Sequence, residues 1–199
     1  MINHEYVSDE KIRELLGKVR NNPTYCMMLF LSLNGFRSIN FRKLVCDEVY
    51  NADGSVRDTV YLSEDKNKGK YAARYYINTQ LKKELEKYHE FLQKKWGDKL
   101  SGETYLFTPE DKNKPFIPPI NKPFARGSIW RIFRKMYKKI GITGASHMGR
   151  HIFITKMIDK GINPFIVQQL VNHRSIQTTQ RYYNADPRRL LNAVETVEF

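Results

Sequence analysis

The sequence predicts an α+β fold, mostly helical, with one small antiparallel sheet. Apolar residues recur at helical spacing over much of the 199 residues, two short β-like runs flank a basic tract, and Gly, Pro and Asn/Asp signals separate these elements. With 41% hydrophobic residues the chain can build a real core, and no internal repeat or low-complexity tract divides it. The simplest organisation is a single domain over residues 1–199.

The elements follow in order. "SDEKIRELLGKVR" opens with Ser8 as N-cap, and Ile12, Leu15, Leu16 and Val19 form an apolar stripe. Pro23 breaks that helix and can start the next. "TYCMMLFLSLNG" is nearly all apolar, so it reads as a buried helix ending at Gly35. "VRDTVYLS", after the turn signal Asp53-Gly54, and "YAARYYI" read as two strands. The tract "EDKNKGK" between them is then a hairpin tip in solvent. "TQLKKELEKYHEFLQKKW" is an amphipathic helix. Residues 102–125, with four prolines in "KPFIPPINKPF", read as loop. Helices are expected over about 127–140, 146–160, 164–172 and 175–184, and a last one begins at Pro187.

The net charge of +13, with pI near 9.7, favours a polyanionic partner, because neutralised phosphates release counterions. Lys and Arg recur in "RGSIWRIFRKMYKK", a helix whose other face is Ile129, Ile132, Phe133 and Met136. Lys66, Lys70, Arg126, Arg131, Arg134 and Arg174 are candidate contacts to such a polyanion. The longest apolar run is too short to span a bilayer, and the N-terminus has no apolar leader. Cys26 and Cys46 sit among apolar residues without metal-ligand spacing. A reduced, cytoplasmic protein with no membrane partner is expected.

"SHMGRHIFITKMIDKGI" places His147, Arg150 and His151 on neighbouring helical positions. Two histidines at i and i+4 can chelate zinc. The hydrolytic zinc helix, however, carries Glu after its first His, where Met148 stands, and no third ligand is nearby. No metal site is expected. Arg37 follows an apolar helix, so its charge needs an anion. Taken alone, it is expected to pair with Glu48 or Asp47. Together with Arg150 it is a candidate clamp on a phosphodiester.

The order Arg, basic hairpin, His-x-x-Arg, His, Tyr resembles the tyrosine recombinase family, which includes phage integrases. "GFRSIN" resembles its first box, G-[LF]-R-x-x-E. "HMGRH" resembles H-x-L-R-H, and "VNHRSIQTTQRY" resembles L-G-H-x-S-x-x-T-T-x-x-Y. The resemblance runs from about Thr24 to Asp186 and implies that family's catalytic fold. Nine residues after His173, the family's nucleophile falls on Tyr182 rather than Tyr183.

The resemblance implies site-specific recombination of double-stranded DNA through a 3′-phosphotyrosyl intermediate, without metal, ATP or other cofactor. It assigns Arg37 and Arg150 to the non-bridging phosphate oxygens, His147 to the tyrosine proton and His173 to a phosphate hydrogen bond. A hairpin lysine protonates the leaving 5′ oxygen. Lys66, Lys68 and Lys70 are available, and the count back from "RYYIN" favours Lys68. His151 is expected to pack or support. Family members act as tetramers on DNA through a Holliday junction, which implies a homo-tetramer here, a monomer when free, and room for accessory DNA-bending proteins. The helix about 187–197, with Leu190, Leu191, Ala193, Val194 and Val197, is a candidate for exchange between protomers. The length is expected to leave no room for a separate N-terminal DNA-clamping domain beside the catalytic one, and both a short recombinase and an excised catalytic domain stay open.

Three positions depart from the pattern. Asn40 replaces an acid that supports the first arginine. Gly149 replaces a large apolar residue, which should loosen packing. Asn172 replaces a glycine before His173, although Asn tolerates a left-handed backbone. Slower chemistry is the expectation. Two alternatives stay open: a type IB topoisomerase-like nicking and resealing enzyme, and a non-catalytic DNA-binding regulator on the same fold.

Overall fold

A computed structural model describes residues 7–67, 71–109, 121–125, 127–144, 146–183 and 194–196. Seven α-helices and one hairpin stand in the expected order among them. Helix α1 (Asp9–Val19) starts where Lys11 N–H donates to Ser8 Oγ, and it buries Ile12, Leu15 and Val19. The Asn22 side chain caps α2 (Pro23–Leu33), with Pro23 in its first turn. The next strands, β1 (Thr59–Leu62) and β2 (Ala73–Tyr76), pair antiparallel, with Val60 opposite Tyr75. Helix α3 (Thr79–Trp96) matches the amphipathic segment, burying Leu81, Leu85, Tyr88, Leu92 and Trp96. The remaining helices are α4 (Ser128–Lys138), α5 (Met148–Asp159), α6 (Pro164–Leu170) and α7 (Ile176–Tyr183). The proline-rich stretch 110–120 and most of the helix expected from Pro187 lie outside the described residues.

The apolar residues form two clusters. The larger gathers α1 to α4 and the hairpin around Met28, Leu29, Leu31, Phe41, Tyr75 and Phe133. The smaller holds Ile154, Ile158, Val167 and Val171 between α5, α6 and α7, with Tyr182 and Tyr183 packed against it. Each such buried aliphatic contributes about 1.5–3 kcal/mol. Helices α6 and α7 therefore rest on a narrow apolar base.

Two glycines set how the clusters meet. Gly35 ends α2 at φ +85°, and a Cβ there would also lie 2.9 Å from Phe153 Cδ1. Gly149 corrects an expectation. It was expected to loosen α5, but a Cβ at this position would lie 2.4 Å from Ser32 Oγ and 3.1 Å from the Ser32 carbonyl carbon. The glycine lets α5 press against α2, and Arg150, one residue on, reaches the end of α2.

Candidate active site

The site lies along the seam between the clusters. Arg37 follows α2, His147 and Arg150 stand at the start of α5, His173 follows α6, and Tyr182 lies in the last turn of α7. All five line one cleft of about 700 Å³, together with Ser38, Trp130, Ser146, His151 and Thr178. Positions far apart in sequence thus converge.

Arg150 is buried, at 6% exposure. It donates through Nη1 to the Gly35 carbonyl at 2.5 Å and through Nη2 to the Val171 carbonyl. These acceptors lie at the C-terminal ends of α2 and α6, where helix carbonyls favour a cation. Arg37 Nη2 donates to the Asn172 carbonyl at 2.5 Å, while its buried Nη1 has no hydrogen-bond partner. Burial, then the neighbouring Arg37 charge, pulls Arg150 down to about 10, so it stays charged at neutral pH.

Carbonyls orient these guanidiniums without neutralising them. The expected pairing of Arg37 with Glu48 or Asp47 is not seen: Glu48 pairs with Lys66 at 3.0 Å and caps Val45 N–H. Two adjacent positive charges, one with an unpaired buried N–H, create a site that favours an anion.

His173 Nδ1 hydrogen-bonds Thr179 Oγ1 at 2.9 Å, and Thr179 is fully buried. Burial, then the charges of Arg150, Arg37 and His151, push His173 down to about 4. It is neutral at physiological pH. In the tautomer in which Thr179 donates to Nδ1, Nε2 carries the ring proton and can donate. The Thr-Thr pair in the sequence thus divides its work: Thr179 orients His173 and Thr178 lines the cleft.

The two tyrosines also separate. Tyr183 hydroxyl donates to the Ile162 carbonyl, a packing bond. Tyr182 faces the cleft, and its hydroxyl shares a hydrogen bond with His151 Nδ1. Burial raises Tyr182 to about 12, with Arg150 and then Arg181 opposing. It rests as a phenol. The sequence placed His151 in a supporting role, yet its imidazole meets the hydroxyl; a histidine at 151 lies one helical turn after 147, but spacing does not reveal which ring faces α7.

Among the other expected residues, Arg131 and Arg134 lie on the exposed face of α4. With Trp130, Lys135 and Lys138 they line a second cleft of about 620 Å³. Arg134 sits over the Trp130 ring at 5.1 Å, and Trp130 borders both clefts. Arg174 and Arg37 both approach the Tyr71 ring, at 5.5 and 5.8 Å. Lys66 is engaged by Glu48. Lys68, Lys70 and Arg126 lie outside the described residues. Asn40 reaches Arg37 only indirectly: its Nδ2 lies 3.3 Å from Tyr75 Oη, which accepts from Arg37 N–H. Among the described residues no group of three or more His, Cys, Asp or Glu gathers to hold a metal.

The phage integrase family model matches residues 5–189. The chain belongs to the phage integrase family. Tyrosine recombinase XerA of Pyrococcus furiosus is 37% identical over 92 residues, covering 46% of this integrase-family chain and 30% of the relative. A tyrosine recombinase of Pseudothermotoga lettingae is 25% identical over 193 residues, 96% of this chain and 59% of its own length. The matched segments thus cover less than two thirds of these relatives' own lengths. The crystal structure of XerA recombinase superposes with a TM-score of 0.69 at 20% identity, over 98% of this chain and 66% of that one. XerH site-specific recombinase bound to palindromic difH substrate, in a post-cleavage complex, gives 0.66 at 18% identity, over 96% and 52%. The catalytic domain of bacteriophage HP1 integrase gives 0.58 at 17% identity, over 96% and 94%. These superpositions establish the tyrosine recombinase catalytic fold. Among the described residues no helix is long and apolar enough to cross a membrane.

Proposed function

We propose that this integrase-family chain performs site-specific DNA recombination, breaking and rejoining strands through a 3′-phosphotyrosyl bond. The observation that carries the reading is the unneutralised Arg37–Arg150 pair facing Tyr182 across one cleft. The guanidiniums hold the scissile phosphate, and His173 donates from Nε2 to one of its oxygens. Tyr182 oxygen attacks phosphorus and the bond to the 5′ oxygen breaks. The phenolic proton passes to an imidazole; His151 holds the hydroxyl in the resting structure, and His147 lines the same cleft. The departing 5′ oxygen takes a proton from the hairpin lysine, assigned to Lys68 by the count back from "RYYIN", with Lys66 already paired with Glu48.

Phosphodiester is exchanged for phosphodiester, so neither ATP nor metal enters the balance. A 5′ hydroxyl from a second duplex attacks the phosphotyrosine and releases Tyr182. Repeated on the other strands, this passes through a Holliday junction within a tetramer. The basic face of α4, continuous with the active-site cleft at Trp130, tracks the DNA backbone through Arg131, Arg134 and their neighbours.

The test is a nicked duplex carrying the sequence that flanks the chain's own gene, incubated in EDTA without nucleotide. A detergent-stable protein–DNA adduct is expected. DNA binding without an adduct would overturn the catalytic reading.

A further inference from the structure

Glycine would satisfy the backbone at position 172, where φ is +52°. Asparagine does more. Its Oδ1 accepts from the Arg74 N–H at 3.0 Å, and its Nδ2 donates to the Arg74 carbonyl at 2.8 Å. One side-chain amide thus engages both backbone groups of one residue, as a neighbouring strand would. Arg74 stands opposite Tyr61 in the hairpin register. With both its backbone groups turned to Asn172, Arg74 faces away from β1, and the amide covers part of the open edge of β2.

The main chain of the same residue faces the phosphate site. The Asn172 carbonyl accepts from Arg37 Nη2 at 2.5 Å and from the Tyr71 hydroxyl at 3.4 Å. The preceding carbonyl, Val171, accepts from Arg150, and the following residue is His173. A single residue therefore stands between the sheet edge and three groups of the cleft.

We propose that Asn172 is a positioning residue: its side-chain amide clasps strand β2 and so fixes the 171–173 turn whose carbonyls aim Arg37 and Arg150. The inference rests on the recombinase reading above. The departure from the family's glycine is then a gain in organisation. A hairpin of two four-residue strands is marginal by itself, and here it is tied to the turn that orients the arginines. Neither partner of the clasp is deeply buried, so the clasp controls aim more than stability.

Asn172→Gly tests this, because glycine keeps the left-handed backbone and removes only the amide. Two readouts are needed. Hydrogen exchange at the Arg74 amide should accelerate by about tenfold or more. Single-turnover cleavage of a nicked duplex at saturating DNA should fall about 10- to 100-fold, as misplacement of reacting groups requires. DNA dissociation constant and Tm should stay near wild type. Arg74→Pro attacks the same bond from the sheet side, where an edge strand tolerates proline, and should slow saturated cleavage similarly. Unchanged Arg74 exchange in N172G overturns the clasp. Faster exchange with unchanged saturated cleavage overturns the positioning role. If the wild-type chain yields no covalent product on any duplex, the recombinase reading fails and the positioning role falls with it, whatever the exchange shows.

Discussion

The hydroxyl of Tyr182 meets Nδ1 of His151, one helical turn beyond His147. A phenol raised to about 12 by burial cannot ionise unaided at neutral pH. On the proposed reading the imidazole against it, His151, is the candidate to take its proton, with His147 lining the same cleft. His151→Gln should slow single-turnover cleavage by about 10²-fold. The residual rate should climb steeply with pH, because hydroxide then replaces the imidazole, whereas wild-type cleavage should depend on pH less steeply. A pH–rate profile of both proteins checks this.

Arg37 and Arg150 should differ when truncated. Replacing either with Lys removes planar, fixed donors and should cost about 10²–10³ in cleavage. Arg150→Ala should also lower stability by about 1–3 kcal/mol, since the Gly35 and Val171 carbonyls lose their donor in a buried setting. Arg37→Ala, at a half-buried position, should lower it less. Urea unfolding beside cleavage assays separates the two effects.

How far was this legible in sequence? The box residues were, because Arg37, Arg150, His173 and Tyr182 each lie in a short local pattern, and the nine-residue count from His173 selected the tyrosine that faces the cleft. Helices α1 to α3 were legible through caps and apolar stripes. Tertiary partners were not. Glu48 looked as suited to Arg37 as to Lys66, and only the fold chose Lys66. Gly149 and Asn172 read as weaknesses because their local costs are visible in sequence. Their benefits lie at Ser32 and Arg74, distant in the chain.

Gly149→Ala follows from the same contact. The added methyl would overlap Ser32, and α5 would have to move away from α2. A loss of about 1–3 kcal/mol is expected. Because Arg150 moves with α5, cleavage should fall too. Chemical denaturation measures the first effect, and the Ser32→Gly/Gly149→Ala pair should recover part of both.

His173 gives a pH dependence of stability. Its folded value, about 4, lies below the ordinary 6.5. Between those values the unfolded chain holds a proton that the folded chain refuses. Stability is therefore full above about pH 6.5 and falls as pH drops toward 4. Allowing for solvent screening, the loss is about 1–2 kcal/mol. Unfolding series of wild type and His173→Gln should converge across this window.

Tyr182 is the residue proposed to carry the DNA. Covalent product trapped on nicked duplex, digested with protease and mapped by mass spectrometry, tests this assignment most directly. The nucleotide is expected on Tyr182, with adduct formation abolished in Tyr182→Phe and retained in Tyr183→Phe. A nucleotide on Tyr183, or an adduct that survives Tyr182→Phe, would contradict it.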